Sequence, residues 1–176
     1  MWQASWADSN PPYLHGFQFS HAFFRLMNIF IYYMSKAFVS HSSKQKSLAE
    51  LLVKRLGRDN CILDKYNFEA GAPTLDEIIN NIERTDLFVL LLSDEALDSE
   101  WVHREINYAK NLKDKTISKQ LLILNIDAKT DHKDSRIPDW LREQYNLKPI
   151  LDPVLIYKKI NSKLRDIAIS DINGRV

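Results

Sequence analysis

Six consecutive residues, Leu87–Leu92, are all apolar. Such a run suits a β-strand covered on both faces, and strands of that kind belong to parallel sheets with helices on either side. The rest of the chain follows the same plan. Ala37, Phe38 and Val39 form a first short strand that ends in the polar turn Ser40-His41-Ser42-Ser43. Leu48, Leu51, Leu52 and Leu56 then recur at helical spacing, and Gly57 supplies the stop. Cys61, Ile62 and Leu63 make a second strand, and residues 64–73 a loop. Leu75, Ile78, Ile79 and Ile82 stripe a second helix. After the third strand at 87–92 the pattern predicts a helix over about 99–112 and a buried strand over 121–126. A polar loop at 127–136 and a short helix at 137–145 follow. A short edge strand at 148–151 and a last helix from Asp152-Pro153 to about 169 complete the series.

Strands alternating with helices through short connections imply right-handed crossovers. The expected class is α/β: a flavodoxin-like three-layer fold with a central parallel sheet of about five strands. Ligands of such sheets sit beyond the carboxyl ends of the strands, here residues 40–43, 64–71, 93–99 and 127 onward.

Composition narrows the chemistry. Four glycines, Gly16, Gly57, Gly71 and Gly174, lie far apart, so neither a GxGxxG nor a GxxxxGK[ST] phosphate loop is present. Lys and Arg number 24 against 23 Asp and Glu, a net charge of +1, which argues against broad capture of nucleic acid. Cys61 is the only cysteine, which excludes an internal disulfide and any Cys-rich zinc site and favours a reducing, cytoplasmic compartment. The five histidines are scattered without an HExxH pair, so no metal site is expected.

Residues 1–33 read as an N-terminal extension, helical in part, without chemistry of its own. Residues 17–33 are apolar and aromatic but carry Arg25 near their middle, which is costly in a bilayer; a docked or amphipathic helix fits better than a span. A natural start at Met34 is a further reading.

From Lys36 onward the ordered motifs become recognisable. Phe38-Val39-Ser40-His41 follows the first strand, Asp64 with Phe68-Glu69-Ala70-Gly71 the second, and Leu92-Ser93 the third. The segment Glu95-Ala96-Leu97-Asp98-Ser99-Glu100-Trp101-Val102-His103-Arg104-Glu105 comes next. Together they resemble a TIR (Toll/interleukin-1 receptor) domain over about 36–169, within a domain drawn at 34–170. Residues 171–176 form its end or the start of a linker. Trp101 to Glu105 is similar to the TIR domains that consume NAD, among them bacterial defence proteins.

The resemblance implies an NAD+ glycohydrolase with Glu105 as catalytic residue. It implies substrate-binding residues Ser40, His41, Ser42, Asp64, Phe68, Gly71 and Trp101, and NAD+ as substrate with no cofactor. It also implies activation by self-association, which completes a site otherwise too open to exclude water. Trp101 and Glu105 lie four apart, one turn along a helix face. Cleaving the nicotinamide–ribose bond develops an oxocarbenium-like sugar, as glycoside cleavage does, and nicotinamide leaves neutral, so one carboxylate suffices. Where the animal NAD-consuming member has two arginines, Ser42 and Ser43 stand here, a weaker anion grip shared with the helix N-terminus.

Bland readings stand beside these. Trp101 is either a packing residue shaping the pocket wall or a ligand, and Phe68 is either tucked onto the core or presented to a neighbouring domain. His103 is expected to be exposed and turned away from Glu105. A Ser40/His41/Asp64 triad is disfavoured, because adjacent strand residues face opposite ways. Two other functions remain open: a non-catalytic TIR adaptor, and a nucleoside deoxyribosyltransferase-like enzyme. Expected partners are NAD+, further TIR domains and a sensor or ATPase module in the same or another chain. Neither nucleic acid nor membrane is expected.

Overall fold

The computed structural model describes residues 35–63, 75–115 and 119–173. Chain order is β1 (Ala37–Ser40), a single 3-10 turn (Ser43–Gln45), α1 (Lys46–Leu56), β2 (Cys61–Leu63), α2 (Leu75–Glu83) and β3 (Leu87–Leu92). Next come α3 (Asp94–Leu97), α4 (Glu100–Lys115), β4 (Gln120–Asn125), α5 (Asp139–Gln144) and α6 (Pro153–Asn173). The strands pair in parallel in the order β2-β1-β3-β4.

Alternation along each strand builds two hydrophobic layers, one per face of the sheet. Phe38, Phe88, Leu90, Leu92, Leu121 and Ile123 face Ile78, Ile82, Ala96, Val102, Ile106 and Leu141 of α2 to α5. Ala37, Val39, Leu87, Val89, Leu91 and Leu124 face Ala49, Leu52 and Leu56 of α1 and Ile156, Ile160, Leu164 and Ile167 of α6. Phe38 and Phe88 are partners in the parallel ladder, and their rings stack at 5.9 Å between centroids. Each fully buried aliphatic or aromatic side chain of this kind contributes about 1.5–3 kcal/mol by leaving water. All six residues of β3 are buried, as its unbroken apolar run requires.

Among the described residues the sheet has four strands rather than about five. The segment expected as an edge strand, 148–151, makes one ladder-like bond, from Ile150 N–H to the Asn125 carbonyl at 2.7 Å. Pro149 has no N–H to add to a ladder, and Pro153 opens α6 two residues after Leu151, so pairing cannot propagate. The helix expected over 99–112 is preceded by a separate turn of helix, α3. It is capped by Ser93, whose Oγ accepts from Ala96 N–H at 3.1 Å. Gly57 ends α1 at φ 89°, a conformation costly for any other residue. Among the described residues no helix is long and apolar enough to cross a membrane.

Strand order reverses between β1 and β3: the chain leaves β1 towards β2 and returns to β1's other side. That reversal opens a crevice at the carboxyl ends of these two strands.

Candidate functional site

Three of the expected site residues stand at the end of β1, beside the crevice. Ser40 is the last residue of the strand and fully buried, and its Oγ meets no hydrogen-bond partner among the described residues. It is therefore not bonded to His41, and the triad gains nothing from the structure. His41 is buried as well, with Nδ1 3.4 Å from the Val39 carbonyl. Burial pushes its imidazole below the ordinary value of 6.5, against the opposing pull of that carbonyl and of Glu50. Ser42 is buried and gives its hydroxyl proton to Gln45 Oε1. Its one donor is thus taken, and what it offers a ligand is lone pairs. Ser43 begins the 3-10 turn and is exposed.

Sequence reasoning overlooked Gln45. Its Nε2 donates to Glu95 Oε2 at 2.9 Å, and Lys44 Nζ lies 3.6 Å from Glu95 Oε1. The loop after β1 is thereby tied to α3, across the crevice. A second fastening holds α3 from the other side. Arg136 places its guanidinium 2.5 Å from Asp94, 2.5 Å from Asp98 and 2.6 Å from Asp134, while Asp94 N–H donates to Asp127 Oδ2 at 3.3 Å. The Arg136 guanidinium, through its hydrogen bonds, holds the Asp134 carboxyl at about 2, well below the usual carboxylate range. The loop folds locally because Asp127, Asp131 and Asp134 each accept the N–H two residues on, from Lys129, Lys133 and Arg136. These successive Asx-turns were legible in the sequence as Asp-x-Lys, Asp-x-Lys and Asp-x-Arg.

Trp101 and Glu105 lie on α4. The buried stripe of this helix is Val102, Glu105, Ile106 and Ala109, so a carboxylate occupies a position that helical spacing assigns to the sheet-facing side. Glu105 is 2% exposed. The carboxylate itself is thus enclosed within the chain. Trp101 is half-buried against the α2–α5 layer, and the Arg104 guanidinium lies 5.1 Å from its ring centroid. His103 is half-buried rather than exposed. Its Nε2 lies 2.7 Å from the Leu97 carbonyl, which requires that nitrogen to carry the hydrogen, and the contact joins α4 to α3. One turn beyond Glu105, Tyr108 donates to Glu83 Oε1 at 2.5 Å and links α4 to α2. That hydrogen bond pushes the phenol up to about 12.

Asp64, Phe68 and Gly71 lie outside the described residues. Among the described residues no group of His, Cys, Asp and Glu is arranged to hold a metal ion. Cys61 is buried and its thiol is pushed up to about 12 by that burial, so it is inert at neutral pH.

The geometry thus consists of a polar strand end, a crevice bridged by Gln45 and Glu95, and a buried carboxylate on the inner stripe of α4. A search among curated proteins finds no match. Comparison with protein families finds the TIR domain over residues 37–150, which spans all four strands and the helices α1 to α5. The chain belongs to the TIR domain family.

Proposed function

We propose that this TIR domain is of the NAD-consuming type: an NAD+ glycohydrolase that releases nicotinamide and leaves ADP-ribose or its cyclised form. The observation that carries the reading is the buried position of Glu105 on the inner stripe of α4. Enclosing a carboxylate costs free energy, and a scaffold domain has no chemical use for that expense. In this reaction the bond between ribose C1′ and the nicotinamide nitrogen breaks with its electron pair, and the pyridinium leaves as a neutral base. The positive charge that develops on the sugar is met by the Glu105 carboxylate, in an enclosed site where such an interaction is strong. Water then adds to C1′ and loses a proton, or a hydroxyl or adenine nitrogen of the same molecule closes the ring.

Trp101 and the end of β1 would line the site, with Asp64, Phe68 and Gly71 of the following loop as further substrate contacts. Self-association of TIR domains would activate the enzyme, in a cytoplasmic bacterial defence or cell-suicide system, with a sensor or ATPase module as partner. Enclosure of Glu105 within one chain means that association would act by ordering the site rather than by drying it.

The test is nicotinamide release from NAD+ by clustered protein, wild type against Glu105→Gln. Release that the variant loses by about 10²–10³ supports the reading. No release from well-folded, clustered wild-type protein overturns it and favours the adaptor, while turnover of nucleosides instead would favour the deoxyribosyltransferase-like enzyme.

A further inference from the structure

We propose that the corner formed by Leu151, Val154 and Leu155 with Lys148, Lys158 and Lys159 docks on an anionic lipid surface. The inference departs from the expectation that no membrane is a partner, and it stands whether or not Glu105 turns over NAD. Among the described residues the exposed large apolar side chains are Leu151, Val154, Leu155 and Ile169, and all lie on α6 or the segment leading into it. Three of them cluster at one corner, where Leu151 is 62% and Leu155 49% exposed. Lys148 precedes them, and Lys158 and Lys159 follow one turn later on the solvent side of the helix, all three exposed. Aliphatic tips ringed by lysines are what a headgroup layer accepts: the tips enter the acyl boundary and the ammonium groups meet lipid phosphate and carboxylate.

Charge decides against the other occupants. Helix α6 carries four basic and two acidic residues, and α1, packed beside it in the same layer, carries three basic and one acidic. Asp152 lies within the corner and caps the helix start, where its Oδ1 accepts from Val154 N–H at 2.8 Å; against three lysines its charge still leaves the corner basic. A second copy placed by two-fold symmetry would bring the same positive layer against itself. Residues 1–34 hold one aspartate and one arginine, and so offer these lysines no excess of negative charge. Three aliphatic side chains also make a small apolar centre for a stable protein interface, which as a whole takes about 20–30 residues a side. A lipid surface needs no such area, because Coulomb attraction from the lysines adds to a small apolar insertion. The corner lies at the carboxyl end of the sheet, since Ile150 bonds Asn125, the last residue of β4. Docking would therefore turn the end of the sheet that holds the crevice towards the bilayer.

The test is cosedimentation of the full chain with phosphatidylcholine vesicles, with and without about one third phosphatidylserine. The expected result is binding that needs phosphatidylserine and weakens as salt rises. Lys158→Glu with Lys159→Glu should lower partitioning at least about tenfold, and Leu151→Glu with Leu155→Glu should abolish it. Thermal unfolding should stay unchanged in both variants, because all four side chains are exposed. No excess binding to phosphatidylserine vesicles, or equal binding by the double leucine variant, overturns the proposal. A concentration-dependent dimer in the absence of lipid, lost in the double leucine variant, also overturns it and assigns the corner to a second copy.

Discussion

Gln45 donates from Nε2 to Glu95 Oε2 at 2.9 Å, across the crevice between the ends of β1 and β3. The same side chain accepts the Ser42 proton through Oε1, so one residue fixes both the mouth of the crevice and the direction of a serine hydroxyl. Gln45→Ala should cost about 1 kcal/mol or less, as loss of a part-buried hydrogen bond does. It should also speed exchange of the Gln45 amide, which donates to the Ser42 carbonyl at 3.0 Å. Hydrogen-exchange mass spectrometry reads this directly. Unchanged protection over 42–45 would show that the loop holds itself without the bridge.

Glu105→Gln separates chemistry from packing. The amide keeps the shape and most of the hydrogen-bonding capacity of the carboxylate, so the chain should fold with a melting temperature close to that of wild type. Under the proposed function nicotinamide release should fall by about 10²–10³ at the same time. Differential scanning calorimetry beside the rate assay tests the pair of outcomes. Joint loss of stability and rate would make Glu105 a packing residue.

The Arg136 fastening gives an acid-side signature. Asp134 sits at about 2 in the folded chain against an ordinary 3.8, so the unfolded chain takes up the proton first as pH falls. The stabilisation is complete above about pH 4 and is lost as pH drops towards about 2. Arg136→Gln should flatten the stability profile in that window, and high salt should weaken the wild-type effect because Arg136 and its partners are partly exposed. Urea titrations across the window decide the matter; identical profiles for variant and wild type would remove Arg136 as the cause.

His41 acts in a higher window. Burial depresses its folded value below 6.5, so it stays neutral in the fold while the unfolded chain protonates. Stability is complete above about pH 6.5 and declines as pH falls through the folded value, by at most about 1.4 kcal/mol per pH unit for one proton. His41→Gln should remove this slope. Denaturant midpoints on either side of the window check it, and a slope that survives in the variant belongs to another group.

The strands and helices were legible because burial marks the sequence: the unbroken apolar run Leu87–Leu92 suits a strand covered on both faces, and Ile78 with Ile82 fall at the spacing of an inward helix stripe. The edge strand misled because Ile150 and Leu151 look like strand residues, while Pro149 acts through a missing N–H. Contacts between residues distant in sequence were invisible. Gln45 meets Glu95 fifty residues away and Arg136 meets Asp94 forty-two away, and no local pattern couples them. Glu105 was half legible: the resemblance carried by Trp101 to Glu105 singled it out, but not its burial, since a glutamate in a charged helix ordinarily reads as solvated.

The segment around Pro149 also matters for what the sheet cannot do. Among the described residues β4 is an outer strand of six residues, long enough to recruit a strand from another chain. Its last residue is already occupied, with Asn125 Nδ2 donating to the Leu147 carbonyl and its own carbonyl accepting from Ile150. A neighbour that stops after one bond covers the end of β4 without extending the ladder. The failed fifth strand thus covers the carboxyl end of this edge and presents no further ladder of its own.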